Sequence, residues 1–162
     1  MCTFYLGPSG RGKVRCMQGS GMSLRPREIQ EVTSVEDTTS TVREAVIRTI
    51  AMPSDTNPAG DIFGGWLMSQ MDLAAGNAAA RRARGRCVTV AVDGMAFHSP
   101  VHVGDEVSVY ADLMSVGRTS MKFKVEAWRR SRDGDEQVKV TEAVFTFVAI
   151  DSGTRPRPIP PS

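Results

Sequence analysis

Two polar residues, Asn57 and Asp72, stand fifteen positions apart in TNPAGDIFGGWLMSQMDLAAGNAAARRA, a stretch otherwise rich in small and apolar residues. A carboxylate on a largely apolar helix loses part of its hydration, which strengthens it as a base. Asp72 can therefore take a proton from water or attack an acyl carbon directly. Gly64 and Gly65 open the helix, where the first N–H groups lack partners and the helix dipole is positive. Without side chains there, a carbonyl oxygen can come close to the N–H of Gly65 or Trp66. The same glycine pair also serves as a tight turn into the helix. Asn57 can orient water or a carbonyl through its amide, yet before Pro58 it reads equally as a turn residue. Asp61 reads as a loop or cap residue at the entry. A base, an oxyanion donor and an orienting amide are what adding water to an acyl carbonyl requires.

Other chemistry-bearing residues carry weaker signals. His98 and His102, in FHSPVHVG, mimic a metal pair, but Ser99-Pro100 interrupts regular geometry between them, so both read as turn histidines with no metal site. No nucleophile elbow or Ser-His-Asp order is present. The three cysteines, Cys2, Cys16 and Cys87, make an odd count without metal-ligand spacing and read as reduced thiols. Arg118, Thr119 and Ser120 place a guanidinium and two hydroxyls on a turn, a donor set that suits phosphate. Met68 and Met71 either floor a slot for an apolar chain or belong to the core.

The elements that must position these groups follow from periodicity. At 100° per residue, Leu67, Met68, Met71, Ala74, Ala75, Ala78 and Ala79 share one arc of a helix spanning 65–83, and Asp72 lies roughly 20° past its edge. The alanines and Gly76 keep this helix slim. Before it, REAVIRTIAM reads as a strand, and the prolines and glycines of PSDTNPAGDIFGG forbid regular structure. After it the period becomes two, in CVTVAVDGMAF, DEVSVYADL, MKFKVEA and VKVTEAVFTFVAI. The connectors SPVHVG, the two-residue turn Gly117-Arg118 and SRDGDE predict successive antiparallel hairpins. One helix must then cover a whole antiparallel sheet, so the sheet must curl around it. It cannot hide every apolar strand position, which predicts at least a dimer.

The chain has 162 residues, enough for one domain with a real core. A net charge of +2 and 6% aromatics give no basis for nucleic-acid binding. No apolar run has membrane-spanning length and the start lacks a secretory pattern, so a cytoplasmic protein without a membrane partner is expected. Residues 1–41 read as a disordered extension and Met22 as an alternative start. Residues 42–150 read as the domain, and 151–162 as a proline-rich tail that is extended or disordered.

TIAMPSDTNPAGDIFGGWLMSQMD, VTVAVDGMAFHSPVHVGDEV, GRTSMKFKVEAW and TEAVFTFVAID resemble the YciA-type acyl-CoA thioesterases of the hotdog-fold superfamily, over about residues 48–160. The resemblance implies an α+β hotdog fold, a curled antiparallel β-sheet wrapped around one long central α-helix. It implies hydrolysis of an acyl-CoA to free acid and coenzyme A, with coenzyme A part of the substrate and no cofactor. Residue by residue, the family's catalytic carboxylate falls on Asp72, its loop asparagine on Asn57 and its oxyanion glycine on Gly65. The nucleotide-holding hairpin falls on Gly117 to Ser120. From the residues themselves rather than the resemblance, Gly64, Trp66 and Met68 are candidates to line the substrate. The family's dimers assemble into a hexamer, a trimer of dimers with sites across a subunit boundary. The long N-terminal segment and the cluster Arg81, Arg82, Arg84, Arg86 take no role from the resemblance. A hotdog dehydratase would pair a histidine with a carboxylate near the helix start, and no histidine precedes Phe97. The competing reading is a non-catalytic acyl-CoA sensor or scaffold, for which a carboxylate at 72 would be unnecessary.

Overall fold

A computed structural model describes residues 43–161, so the N-terminal extension lies outside the described residues. Its elements are β1 (Ile47–Ile50), a 3₁₀ turn (Pro53–Asp55), α1 (Gly64–Ala83), β2 (Cys87–Val92), β3 (Ala96–Phe97), β4 (Glu106–Val116), β5 (Ser120–Arg130) and β6 (Gln137–Ala149). The long strands form one antiparallel sheet in the order β1-β4-β5-β6-β2, and β3 adds to β6. This sheet wraps α1, which packs against β2, β4, β5 and β6. The expected hotdog architecture is therefore present.

The helix forms because the seventeen residues after Trp66 include no proline and no β-branched side chain, and six of its twenty residues are alanine. It ends at Arg84, which takes the left-handed conformation (φ 49°), and Gly85 donates its N–H to Ala80 O. Arg81 and Arg82 in the last turn complement the negative end of the dipole. Leu67, Met71, Ala74, Ala75, Ala79 and Ala83 are buried against Val107, Val109, Met121, Phe123, Val125, Phe145 and Phe147. Phe123 and Phe147 meet edge to face at 6.1 Å. The slim face matters here. A Cβ added at Gly76 would lie 3.7 Å from the Phe147 ring, so the backbone of the helix rests close to that side chain.

Four expectations need correction. The first predicted hairpin is a crossover: β2 pairs with β6, whereas β4 pairs with β1 and β5. The connector turns at Gly104 (φ 93°), and Ala51 N–H to Asp105 O with Gly104 N–H to Ala51 O bind it to the far edge of the sheet. Turn residues mark a reversal without saying which strand receives the chain. The first strand is also shorter than REAVIRTIAM. The β4–β5 connection has three residues between strands, 117–119, closed by Gly117 N–H to Ser120 O. Finally, Met68 is 42% exposed rather than in the core stripe, because the curl of the sheet leaves that side of the helix open.

Residues 151–161 are extended and held. Asp151 Oδ1 accepts the N–H groups of Gly153 and Arg155 in a tight turn. Arg157 N–H then bonds Ala149 O, and Ile159 N–H bonds Arg118 O. Two side chains pin this segment to the helix end: Arg157 donates to Ala83 O at 2.8 Å, and Arg82 to Pro160 O at 2.8 Å. Part of the arginine cluster thus holds the chain end in place.

The face of the sheet away from the helix carries an ion network. Glu126, only 6% exposed, accepts from Arg43, Lys139, Lys124 and Trp128 Nε1. Burial alone would push its carboxyl up, but these four donors outweigh it and hold the group far below the usual carboxylate range. The pH dependence has a definite sign. A depressed folded-state value adds stability that is complete above the ordinary carboxylate range and is lost as pH falls below it. Glu126→Gln keeps the shape and removes the charge. It is expected to lower stability at pH 7 by about 1–3 kcal/mol and to flatten the acid limb of a stability–pH curve measured by urea unfolding.

Candidate active site

The loop before α1 is shaped by Asn57. Its Oδ1 accepts the N–H groups of Ala59 (2.9 Å) and Asp61 (3.1 Å), and its backbone pairs with Gly60 and Asp61. The turn reading of Asn57 is thus realised. Its Nδ2 makes no hydrogen bond among the described residues and stays available as a donor. Asp61 is exposed and shapes the loop through its backbone. Phe63 N–H bonds Asp55 O, which closes the loop against the 3₁₀ turn and delivers the chain to the helix.

Phe63 O accepts the N–H groups of Trp66 and Leu67, so Trp66 N–H is not a free donor. The N–H groups of Gly64 and Gly65 have no acceptor among the described residues. Of the expected oxyanion donors, the geometry leaves Gly65 and not Trp66. The Phe63 ring lies over Gly65: a Cβ there would come within 2.5 Å of it. That ring separates two clefts. On one side a shallow cleft of about 490 Å³ is lined by Asn57, Pro58, Gly65 and Trp66. On the other a cleft of about 280 Å³ runs between Gly64, Leu67, Phe97, His98, Val101 and Val140. Asn57 and Gly65 are thereby brought together, and the apolar cleft opens one residue away.

Asp72 is half-buried at the margin of the helix stripe, where the helical spacing puts it. It follows Gly65 by seven residues, two turns, so the two share a helix face about 10 Å apart. Asp72 lines neither cleft. Its Oδ1 accepts a hydrogen bond from Thr89 Oγ1 on β2 at 2.6 Å. Reading the sequence did not single out Thr89. No local signal marks it, because it meets Asp72 only once β2 is folded beside the helix.

The remaining candidates are dispersed. Arg118 is exposed at the tip of the β4–β5 connection, with Thr119 and Ser120 half-buried behind it. Its backbone is fixed by Ile159, which stiffens the turn while leaving the guanidinium outward. His98 lines the apolar cleft and His102 is exposed in the crossover. No group of three or more metal-ligating side chains occurs among the described residues. Cys87 faces the helix, its Sγ 3.5 Å from Ala79 O, and burial pushes the thiol up despite Arg157 nearby. Cys2 and Cys16 lie outside the described residues. None of the described helices is long and apolar enough to cross a membrane.

Strand β2 ends the sheet with an uncovered apolar surface. Val88, Val90 and Val92 are each 40% exposed or more, and Leu73 on the helix is 59% exposed. Such an edge is a ready surface for pairing with another chain.

Residues 59–134 match the thioesterase superfamily model. An uncharacterized acyl-CoA thioester hydrolase of Zymomonas mobilis is 58% identical over 118 residues, covering 73% of this chain and 79% of the relative. Acyl-CoA thioester hydrolase YciA of Escherichia coli K12 is 48% identical over 120 residues, covering 72% of this chain and 91% of YciA. Among solved structures, the hexameric thioesterase y2039 of Yersinia pestis is 50% identical with a TM-score of 0.71, covering 74% of this chain and 97% of that one. With its curled sheet around one helix and this degree of identity, the chain belongs to the hotdog-fold thioesterase superfamily, among the YciA-type acyl-CoA thioester hydrolases.

Proposed function

We propose that the protein hydrolyses acyl-CoA thioesters to free carboxylic acids and coenzyme A, with Asp72 as the catalytic carboxylate. The observation that carries this reading is the half-buried Asp72 carboxylate, on the same helix face as an unpaired Gly65 N–H. As a base, Asp72 takes a proton from water while the water oxygen attacks the thioester carbon. As a nucleophile, it attacks that carbon itself and the resulting anhydride is hydrolysed. In both routes the carbonyl oxygen gains negative charge that a Gly65 N–H stabilises, and the carbon–sulfur bond breaks to release the coenzyme A thiol.

A separation of about 10 Å along one helix is too long for Gly65 and Asp72 of one chain to grip the same carbonyl side by side. The reading therefore places Asp72 of one copy opposite the Gly65 and Asn57 of another. The exposed apolar β2 edge supplies a surface for that pairing, and the hexameric Yersinia relative supports an assembly of this kind. The apolar cleft beside Gly64 suits the acyl chain, and the Arg118 turn suits the phosphates of coenzyme A. Met68, exposed in one chain, would contribute to the site only when a second copy covers it.

Thiol release from a panel of acyl-CoAs tests the reading directly. Asp72→Ala is expected to lower kcat by about 10²–10⁴-fold. Near-normal turnover would remove Asp72 from the mechanism, and a wild type without turnover on any thioester would favour the sensor. Arg118→Ala is expected to raise KM for acyl-CoA about tenfold while changing KM for the truncated acyl-pantetheine by less than twofold. Equal effects on both would argue against a phosphate contact. Asn57→Asp separates the two roles of that residue. It keeps the Oδ1 acceptor and removes the Nδ2 donor, so thermal stability is expected to hold while turnover falls at least tenfold. Asn57→Ala should lower both, with about 1 kcal/mol less stability by urea unfolding.

A further inference from the structure

We propose that Thr89 is a positioning residue for Asp72: its hydroxyl, carried on the edge strand β2, ties down one carboxylate oxygen and presents the other to the reaction. The inference rests on Asp72 being the catalytic carboxylate. Thr89 Oγ1 donates to Asp72 Oδ1 at 2.6 Å, a short bond to a charged acceptor. Oδ1 is thus occupied, and Oδ2 has no partner among the described residues. A carboxylate on an aspartate swings about two torsions. Fixing one oxygen removes most of that freedom before substrate arrives.

Three features of the fold converge on this contact. First, β2 carries an irregularity at this point: Thr89 pairs with Phe147, and the next registered pair is Ala91 with Thr146. A bulge of this kind re-aims a side chain and is common beside active sites. Second, Cys87, two residues earlier on the same face, already touches the helix at Ala79 O, so this face of β2 looks onto α1. Third, Gly76, one turn beyond Asp72, lets the helix approach Phe147, the cross-strand partner of Thr89. The short hydroxyl of threonine can span the gap only because helix and strand are this close. Threonine also suits the task by its branching at Cβ, which restricts χ1 and keeps the hydroxyl on target.

A merely structural role for Thr89 would leave the strand weaker and would not single out kcat. Thr89→Val keeps shape and strand propensity while removing the donor. It is expected to lower kcat about 10- to 100-fold with KM changed less than threefold. Thr89→Ser, which restores the hydroxyl without the methyl, should recover kcat to within about fivefold of wild type. In an Asp72→Ala background, Thr89→Val should lower the residual rate by less than twofold, since the group it positions is gone. Thermal unfolding of each variant checks that the fold is kept. If Thr89→Val misfolds, Thr89→Ala, which also removes the donor, and its double mutant with Asp72→Ala carry the test, with Thr89→Ser as the hydroxyl-bearing control. Wild-type turnover with full kcat in Thr89→Val would overturn the positioning role alone. So would full additivity with Asp72→Ala. A wild type that hydrolyses no acyl-CoA would overturn the reading of Asp72 itself, which separates the two failures.

Discussion

How closely α1 can lie in the curl of the sheet sets every other distance in this molecule. The buried face of the helix is made largely of Ala74, Ala75, Ala79 and Ala83, with Gly76 against Phe147. Small residues trade contact area for proximity. The area comes back from the sheet, whose Phe123, Phe145 and Phe147 fill the space that a leucine-rich helix would have filled itself. The arrangement brings strand backbone near helix backbone, and a hydroxyl as short as that of Thr89 then reaches a helix carboxylate. Larger residues at 75, 76 or 79 would push the helix outward and break that contact before they unfolded the domain.

The polar groups divide between the two faces of the sheet. On the helix side, Thr89 of β2 bonds Asp72, and Asn57 shapes the loop that leads into the helix. On the other side, Glu126 gathers Arg43, Lys124 and Lys139, with Trp128 adding an indole N–H and Lys139 lying 5.4 Å from the Trp128 ring. The second cluster ties the strand-flanking segment at Arg43 to the middle of β5.

Much of this was legible in residue order. The helix is read to within one residue, because alanines at helical spacing followed by Arg-Gly leave little ambiguity about where it lies and where it stops. The half-buried setting of Asp72 follows from the same arithmetic. The pairing of β2 with β6 did not follow, since turn chemistry is local and the crossover is decided by Ala51 and Asp105, far apart in sequence. The docking of the tail was equally hidden: Arg82 with Pro160, and Arg157 with Ala83, are contacts between segments more than seventy residues apart. Thr89 is the sharpest case. Its partner lies seventeen residues back, across a helix end and into an edge strand, and nothing in CVTVAV distinguishes it from an ordinary strand threonine. The split of Trp66 from Gly65 as donors was illegible too, for it depends on Phe63 O reaching the Trp66 amide.

The place of β2 at the end of the ladder has a consequence for how the molecule wears out. Terminal strands exchange their amides and detach at lower free energy than central ones. Here the outermost strand of a single chain also carries Thr89, and only a second copy paired along β2 would make it an inner strand. Warming that parts the copies would therefore slacken the aim of Asp72 while β4, β5 and β6 still hold the helix. Heat would silence the molecule some degrees below the temperature at which it melts.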